Sequence, residues 1–156
     1  ILMNKIILSV FTEKYTKLEN RLLNKVVLCA NEIVDQALAQ WDTGATNTCI
    51  SEEIASRYKL KPISYAQSKT PSGVLTAPIY LMDIILNNEV IFTDWNVMGS
   101  KIGAQGIDIL IGMDIISKGD FAISNYDGKT QFSFRLPSQQ DVDYKNGESN
   151  DTNKDT

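Results

Sequence analysis

The residues of this chain best suited to chemistry are Asp42, Thr43, Gly44 and Ala45. A largely apolar run, residues 37–41, leads straight into them, and Thr46, Asn47 and Thr48 follow before Cys49, Ile50 and Ser51. A carboxylate set in a glycine turn at the end of a buried strand is placed to activate water. The glycine lets the backbone turn tightly and present its amides to the acid, which then works as a general base or acid. The same three residue types suit an ordinary turn. The setting therefore has to decide between the two.

Elimination narrows the chemistry. The chain has no histidine, which removes Ser-His-Asp and Cys-His catalysis and every histidine-containing metal site. General acids and bases must come from carboxylates, Lys, Tyr or Cys. Cys29 and Cys49 lie apart with no Cys-x-x-Cys pattern, so no zinc site is expected and both read as reduced, packed thiols. No metal or cofactor is called for.

At 156 residues with 43% hydrophobic content, the chain is expected to fold as one globular domain. The net charge of −4 is largely local, since five acids face two lysines from Ser138 onward. No basic stripe marks a nucleic-acid surface, and no apolar run approaches the roughly 20 residues that cross a bilayer as a helix. Residues 6–11 follow a single lysine and are too short for a secretory core. The expected location is the cytoplasm.

Elements must bring these residues into position. Thr12 can cap a helix in which Phe11, Tyr15, Leu18 and Leu22 recur at helical spacing. Residues 25–30 and 33–41 flank a tight Asn31-Glu32 turn and read as a hairpin whose second strand delivers Asp42. Residues 51–58 read as a short helix capped by Ser51, with Glu52 and Glu53 suiting its dipole. A strand over residues 63–68 and a long strand over residues 74–86 flank Thr70, Pro71, Ser72 and Gly73, which have the chemistry of a hairpin tip. Pro78 argues for an edge or bulge.

Asn87-Asn88 turns the chain into residues 89–98. A glycine-containing loop then precedes residues 107–112, a buried strand ending in Gly112, and residues 113–117 make one or two helical turns. Asp127-Gly128 between residues 120–126 and 129–136 is a type I′ hairpin signal. The segment from residue 137 is polar enough to be disordered. Three regions follow: an N-terminal extension over residues 1–24, helical in part; a mainly β domain over residues 25–136; and a polar tail over residues 137–156.

Residues 37–46, with Cys49, Ile50 and Ser51 after them, resemble the active-site segment of retropepsin-like aspartic peptidases of the bacterial and retrotransposon type. About seventy residues on, residues 109–114 are similar to that family's second signature, an apolar strand ending in glycine before a short helix. Between them Thr70, Pro71, Ser72, Gly73 and Val74 sit where the family places its flap hairpin. The resemblance implies a closed β-barrel or sandwich with a flap and short helices. It assigns Asp42 as the catalytic acid, and Thr43, Gly44, Ala45, Thr46 and Gly112 as support for its loop. Pro71, Ser72, Gly73 and Val74 become the cover over a protein or peptide substrate.

Only one Asp-Thr-Gly is present, and aspartic peptidase chemistry needs two carboxylates sharing one proton. Asp114 follows the glycine at a helix start, a structural position for an acid. The second carboxylate is therefore expected to be Asp42 of another copy, in a twofold homodimer, and activity is expected to be bell-shaped in pH. Trp41 reads as a core aromatic. The alternative is a catalytically idle module of the same fold that dimerises or binds peptides.

Overall fold

The hairpin that delivers Asp42 forms because its turn residues accept left-handed backbone. Asn31 and Glu32 have φ of 48° and 65°, the pair of positive values a type I′ turn requires. They join β2 (Leu22–Ala30) to β3 (Ile33–Trp41), paired in register from Leu22 with Trp41 to Ala30 with Ile33. A computed structural model describes residues 8–147 of the chain.

The remaining elements, in order, are β1 (Ser9–Lys14), β4 (Cys49–Ser51), α1 (Glu52–Arg57), β5 (Ser64–Thr70), β6 (Gly73–Ile85), β7 (Ile91–Ser100), β8 (Ile109–Ile111), α2 (Met113–Ile116), β9 (Asp120–Ser124), β10 (Gln131–Leu136) and α3 (Tyr144–Gly147). Short 3-10 turns occupy Ile102–Gln105 and Tyr126–Gly128. The larger sheet runs β2-β3-β8-β4-β7-β6-β5, and β2 also pairs with β6. That extra pairing closes six strands into a barrel, which removes their free edges, and leaves β5 hanging outside on β6. The mainly β architecture expected from the sequence is the one observed.

The barrel interior follows the period-two alternation of its strands. Val26 and Leu28 on β2, Ala37 and Ala39 on β3, Ile84, Val97, Ile109 and Ile111 are all buried. Tyr58, just past α1, is fully buried and donates its hydroxyl to the Leu28 carbonyl at 3.2 Å. α1 is capped as its sequence predicts, the Ser51 hydroxyl accepting from the Ile54 N–H.

A second sheet, ordered β1-β10-β9, covers one side of the barrel with aromatic side chains. Phe11, Phe121, Phe132 and Phe134 surround Trp41 at ring-centroid distances of 5.6, 5.7, 5.6 and 5.1 Å. Trp41 is therefore the core residue its size suggested, and its indole N–H donates to Asn24 at 2.9 Å. Such a cluster is the apolar content that joins the two sheets.

Three expectations need correction. The helix beginning near Thr12 is absent: residues 9–14 are a strand paired with β10 from Ser9–Leu136 to Lys14–Gln131. The helical spacing of Phe11, Tyr15, Leu18 and Leu22 was coincidental, because Phe11 is buried at Trp41 while Leu18 is exposed. Pairing with β10 outweighs a local pattern that suits either state. Pro78, by contrast, lies at an edge as expected, paired with Tyr65 of β5 on one side only. The β6–β7 ladder begins at Ile79, and the register irregularity falls between Met82 and Ile84, so the missing Pro78 N–H interrupts no ladder to β7.

Asp127 and Gly128 do make a turn with positive φ, closed by Lys129 N–H to the Tyr126 carbonyl. It sits inside a six-residue connection, since Ser124 pairs with Gln131. Finally, the start of the expected disordered tail is held: Ser138 and the Gln139 N–H both hydrogen-bond Asp120. Residues 148–156 of that tail and residues 1–7 of the expected extension lie outside the described residues.

Candidate active site

Asp42 leaves β3 at the point where three strands converge. β8 lies between β3, to which it is parallel, and β4, to which it is antiparallel. The Asp42 N–H donates to the Ile111 carbonyl at 2.9 Å, which extends the β3–β8 ladder by one residue. The turn then closes on itself. The Gly44 N–H donates to Asp42 Oδ1 at 2.8 Å, and the Ala45 N–H donates to the Asp42 carbonyl at 3.2 Å. A Cβ on Gly44 would lie 3.1 Å from that same Oδ1, so the residue after Thr43 needs to be small for the carboxylate to be held in this way.

Gly112 supports the loop from behind. A Cβ there would lie 2.8 Å from the Asn47 carbonyl carbon and oxygen and 2.9 Å from the Ala45 oxygen. All are backbone atoms, which have no room to yield. This close approach lets Met113 N–H reach the Ala45 carbonyl at 2.8 Å and Asp114 N–H reach the Thr46 carbonyl at 3.2 Å. Of the residues singled out from sequence, Asp42, Gly44, Ala45, Thr46 and Gly112 are thus brought together by hydrogen bonds or close approach.

A side-chain network behind the loop was not singled out from sequence. Thr48 is fully buried; its hydroxyl donates to Asp114 Oδ1 at 2.7 Å and accepts from the Gly112 N–H at 3.2 Å. Asp114 Oδ2 accepts from the Trp95 indole at 3.0 Å, and Oδ1 accepts from the Ile115 N–H at 3.0 Å. One carboxylate therefore ties the Asp42 loop, β7 and the first turn of α2 together. The structural role expected of Asp114 is observed, and it extends well beyond favouring a helix dipole. The signal was a buried threonine close after the turn with an acid following the glycine. Asp108 is likewise engaged, its Oδ2 accepting from the Leu38 N–H at 2.8 Å. Among the described residues, neither acid stands as a free second carboxylate beside Asp42.

Asp42 and Thr43 open onto a surface cleft of about 310 Å³, whose walls include Glu19, Arg21, Ile123 and Asn125. The Thr43 side chain is exposed, and among the described residues its hydroxyl has no partner. Arg21 is held across the cleft wall, donating to Gln40 Oε1 at 2.8 Å and to the Gln105 carbonyl at 3.0 Å. Burial pushes the Cys49 thiol up, with the charge of Asp114 adding to the shift, so this cysteine is not an activated thiolate.

The flap hairpin forms as expected. Thr70 pairs with Gly73 across Pro71 and Ser72, Thr70 Oγ1 donates to the Gly73 carbonyl at 3.0 Å, and Gly73 takes φ of +130°. Pro71 and Ser72 form the tip and Gly73 begins β6. None of Pro71, Ser72, Gly73 or Val74 lines the Asp42 cleft within one chain. The structure therefore unites the Asp42 loop with its supports and leaves the hairpin at Thr70 to Val74 apart.

Neither a family model nor a curated protein sequence matches the chain. Among solved structures, a retropepsin-like aspartic protease from Rickettsia conorii superposes with a TM-score of 0.53 and 13% identity, over 85% of this chain and 98% of that one. The simian foamy virus protease gives a TM-score of 0.45 at 21% identity, over 60% and 92% of the two chains. A protease of EIAV, complexed with an inhibitor, gives 0.46 at 17% identity, over 64% and 88%. The closed six-stranded barrel agrees with the first of these likenesses: the chain has the retropepsin-like fold.

Proposed function

We propose that the chain is an aspartic endopeptidase that hydrolyses peptide bonds in a twofold homodimer, with Asp42 of each copy sharing one site. The observation that carries this reading is the held carboxylate. Asp42 sits at the mouth of a cleft, fixed by the Gly44 N–H and by β8, while the other acids near the loop are engaged in structural hydrogen bonds.

In this reading two Asp42 carboxylates share one proton. The ionised one draws a proton from a water molecule, which attacks the carbonyl carbon of the scissile bond. The protonated one donates to the carbonyl oxygen. Collapse of the tetrahedral species returns a proton to the leaving nitrogen, and no covalent enzyme intermediate or metal is required. The exposed Thr43 hydroxyl is free to bond the neighbouring copy of the loop, and the hairpin carrying Pro71, Ser72, Gly73 and Val74 covers the peptide.

A digest of casein or a peptide library tests this, with wild type and Asp42→Asn compared from acidic to neutral pH. Wild type is expected to cleave with a bell-shaped pH profile, and Asp42→Asn to lose at least about a thousandfold in rate. Equal cleavage by both proteins removes Asp42 from the mechanism. Peptide binding without turnover in either protein favours an idle binding module.

A further inference from the structure

We infer that Arg21 is a specificity-determining residue that selects peptides with Asp or Glu beside the scissile bond. This rests on the reading that Asp42 activates the water attacking that bond, and it adds the class of peptide the site takes. Of the chain's three arginines, two are paired with carboxylates: Arg135 with Asp120 at 2.7 Å and Arg57 with Asp35 at 3.8 Å. Among the described residues Arg21 has no carboxylate within ion-pair distance.

The register of the hairpin places Arg21 beside Asp42. Leu22 lies opposite Trp41 and Leu23 opposite Gln40, so the next pair in that register is Arg21 and Asp42. Gln40 and Asp42 fall on the face of β3 opposite to buried Ala39 and Trp41. The bond from Arg21 Nε–H to the Gln40 side chain puts the guanidinium on that same face.

Arg21 and Asp42 accordingly line one cleft, in which Arg21 is the one cation among the described lining residues. Glu19 lines it too, and its carboxylate has the Lys17 ammonium 3.9 Å away. The charge of Arg21 is thus left unmatched by the fold at the place where a substrate must lie. A carboxylate on the peptide supplies the partner.

The guanidinium is also prepared for that partner. It carries five N–H donors, of which Nε–H goes to Gln40 and one on Nη2 to the Gln105 carbonyl. Both acceptors are neutral, so the charge is kept. The remaining donors offer a carboxylate a fork already fixed in place. In the twofold dimer each copy brings one Arg21, so the preference applies on both sides of the scissile bond.

Four peptide libraries, randomised except for a central Glu, Gln, Leu or Lys, test this at about pH 6, where a free Glu is ionised. Wild type is expected to cut beside Glu at least about tenfold faster than beside Gln, the order that a charge-assisted hydrogen bond supplies. Arg21→Gln is expected to bring that ratio close to one, and Arg21→Glu to turn the preference toward Lys. Arg21→Lys, which keeps the charge but not the fork, should retain part of it.

A wild type that cuts beside Glu and Gln equally overturns the inference and leaves catalysis by Asp42 standing. So does an Arg21→Gln protein slowed by the same factor on all four libraries, the result of losing only a structural tie. If Arg21→Gln does not fold, salt decides on wild type: a Glu preference that fades from about 0.05 to 0.5 M salt supports the charge pair, and one that does not overturns it. If wild type cuts no library, the endopeptidase reading fails, and binding of the labelled Glu and Gln libraries decides the role of Arg21. Tighter binding of Glu that Arg21→Gln abolishes supports it, and equal binding overturns it.

Discussion

The Asp42 loop and the flap hairpin are built on opposite terms. Around Asp42, backbone and side chains are bonded to β8, to α2 and, through Asp114, to Trp95 on β7. Among the described residues the flap strands beyond Ile79 pair only with each other, and Val74 and Leu75 are among their exposed apolar residues. In the proposed function, an acid that must meet its copy within hydrogen-bond distance tolerates little motion. A cover that must admit a peptide needs few contacts. Substitutions in the loop should therefore cost stability and activity together, while substitutions in the flap should change catalysis with little effect on stability.

The largest effect is expected from Gly112→Ala. Its new methyl would press on the Asn47 and Ala45 backbone, costing on the order of 3 kcal/mol and displacing the catalytic turn. A thermal melt and the peptide digest should fall together. An unchanged melting temperature would mean that the close approach is not a constraint. Thr48→Val follows, at about 1–3 kcal/mol, because it leaves the Gly112 N–H without its acceptor and takes one of three donors from Asp114. Calorimetry would read this, and a neutral result would break the claim that the loop is braced from behind.

In the flap, Gly73→Ala places a side chain at φ of +130° and should cost about 1 kcal/mol by straining the tip. Val74→Ala, at an exposed position, should stay within about 0.5 kcal/mol of wild type while raising KM severalfold. A large stability loss from Val74→Ala would erase the contrast between the two regions.

The smallest effect concerns the clasp at Asp120. Hydrogen bonds from Ser138, the Gln139 N–H and Arg135 hold its carboxyl well below the usual carboxylate range. A depressed folded value means stability that is fully present above the ordinary Asp range and lost as pH falls through the lowered value. Asp120→Asn should therefore be slightly less stable than wild type at neutral pH, and the difference should shrink only in strong acid. Melting curves at neutral and strongly acidic pH would check it.

Local chemistry made much of the molecule legible from residues alone. Asn31-Glu32, Ser51, Thr70 to Gly73 and the run into Gly112 each announce a turn, cap or strand end by their own conformational preferences, and all four appear where expected. What sequence could not supply was pairing at a distance. β1 reads as helix because Phe11, Tyr15, Leu18 and Leu22 fit a 3.6 period, and only β10, more than 115 residues away, makes it a strand. The Thr48–Asp114–Trp95 network was hidden for the same reason, since its members meet only once β4, β7 and α2 have come together. Asp42 stood out because its glycine turn is local, whereas its bracing is not.

The central claim is that each chain carries half of an active site. Mixing tests it most directly: a fixed amount of wild type is titrated with Asp42→Asn protein under conditions that allow subunits to exchange, and cleavage of a peptide substrate is followed. If two Asp42 residues share one site, inactive mixed dimers should draw wild type away, and activity should fall to about half at an equimolar mixture. Activity that stays constant as Asp42→Asn is added would mean that each chain cuts alone.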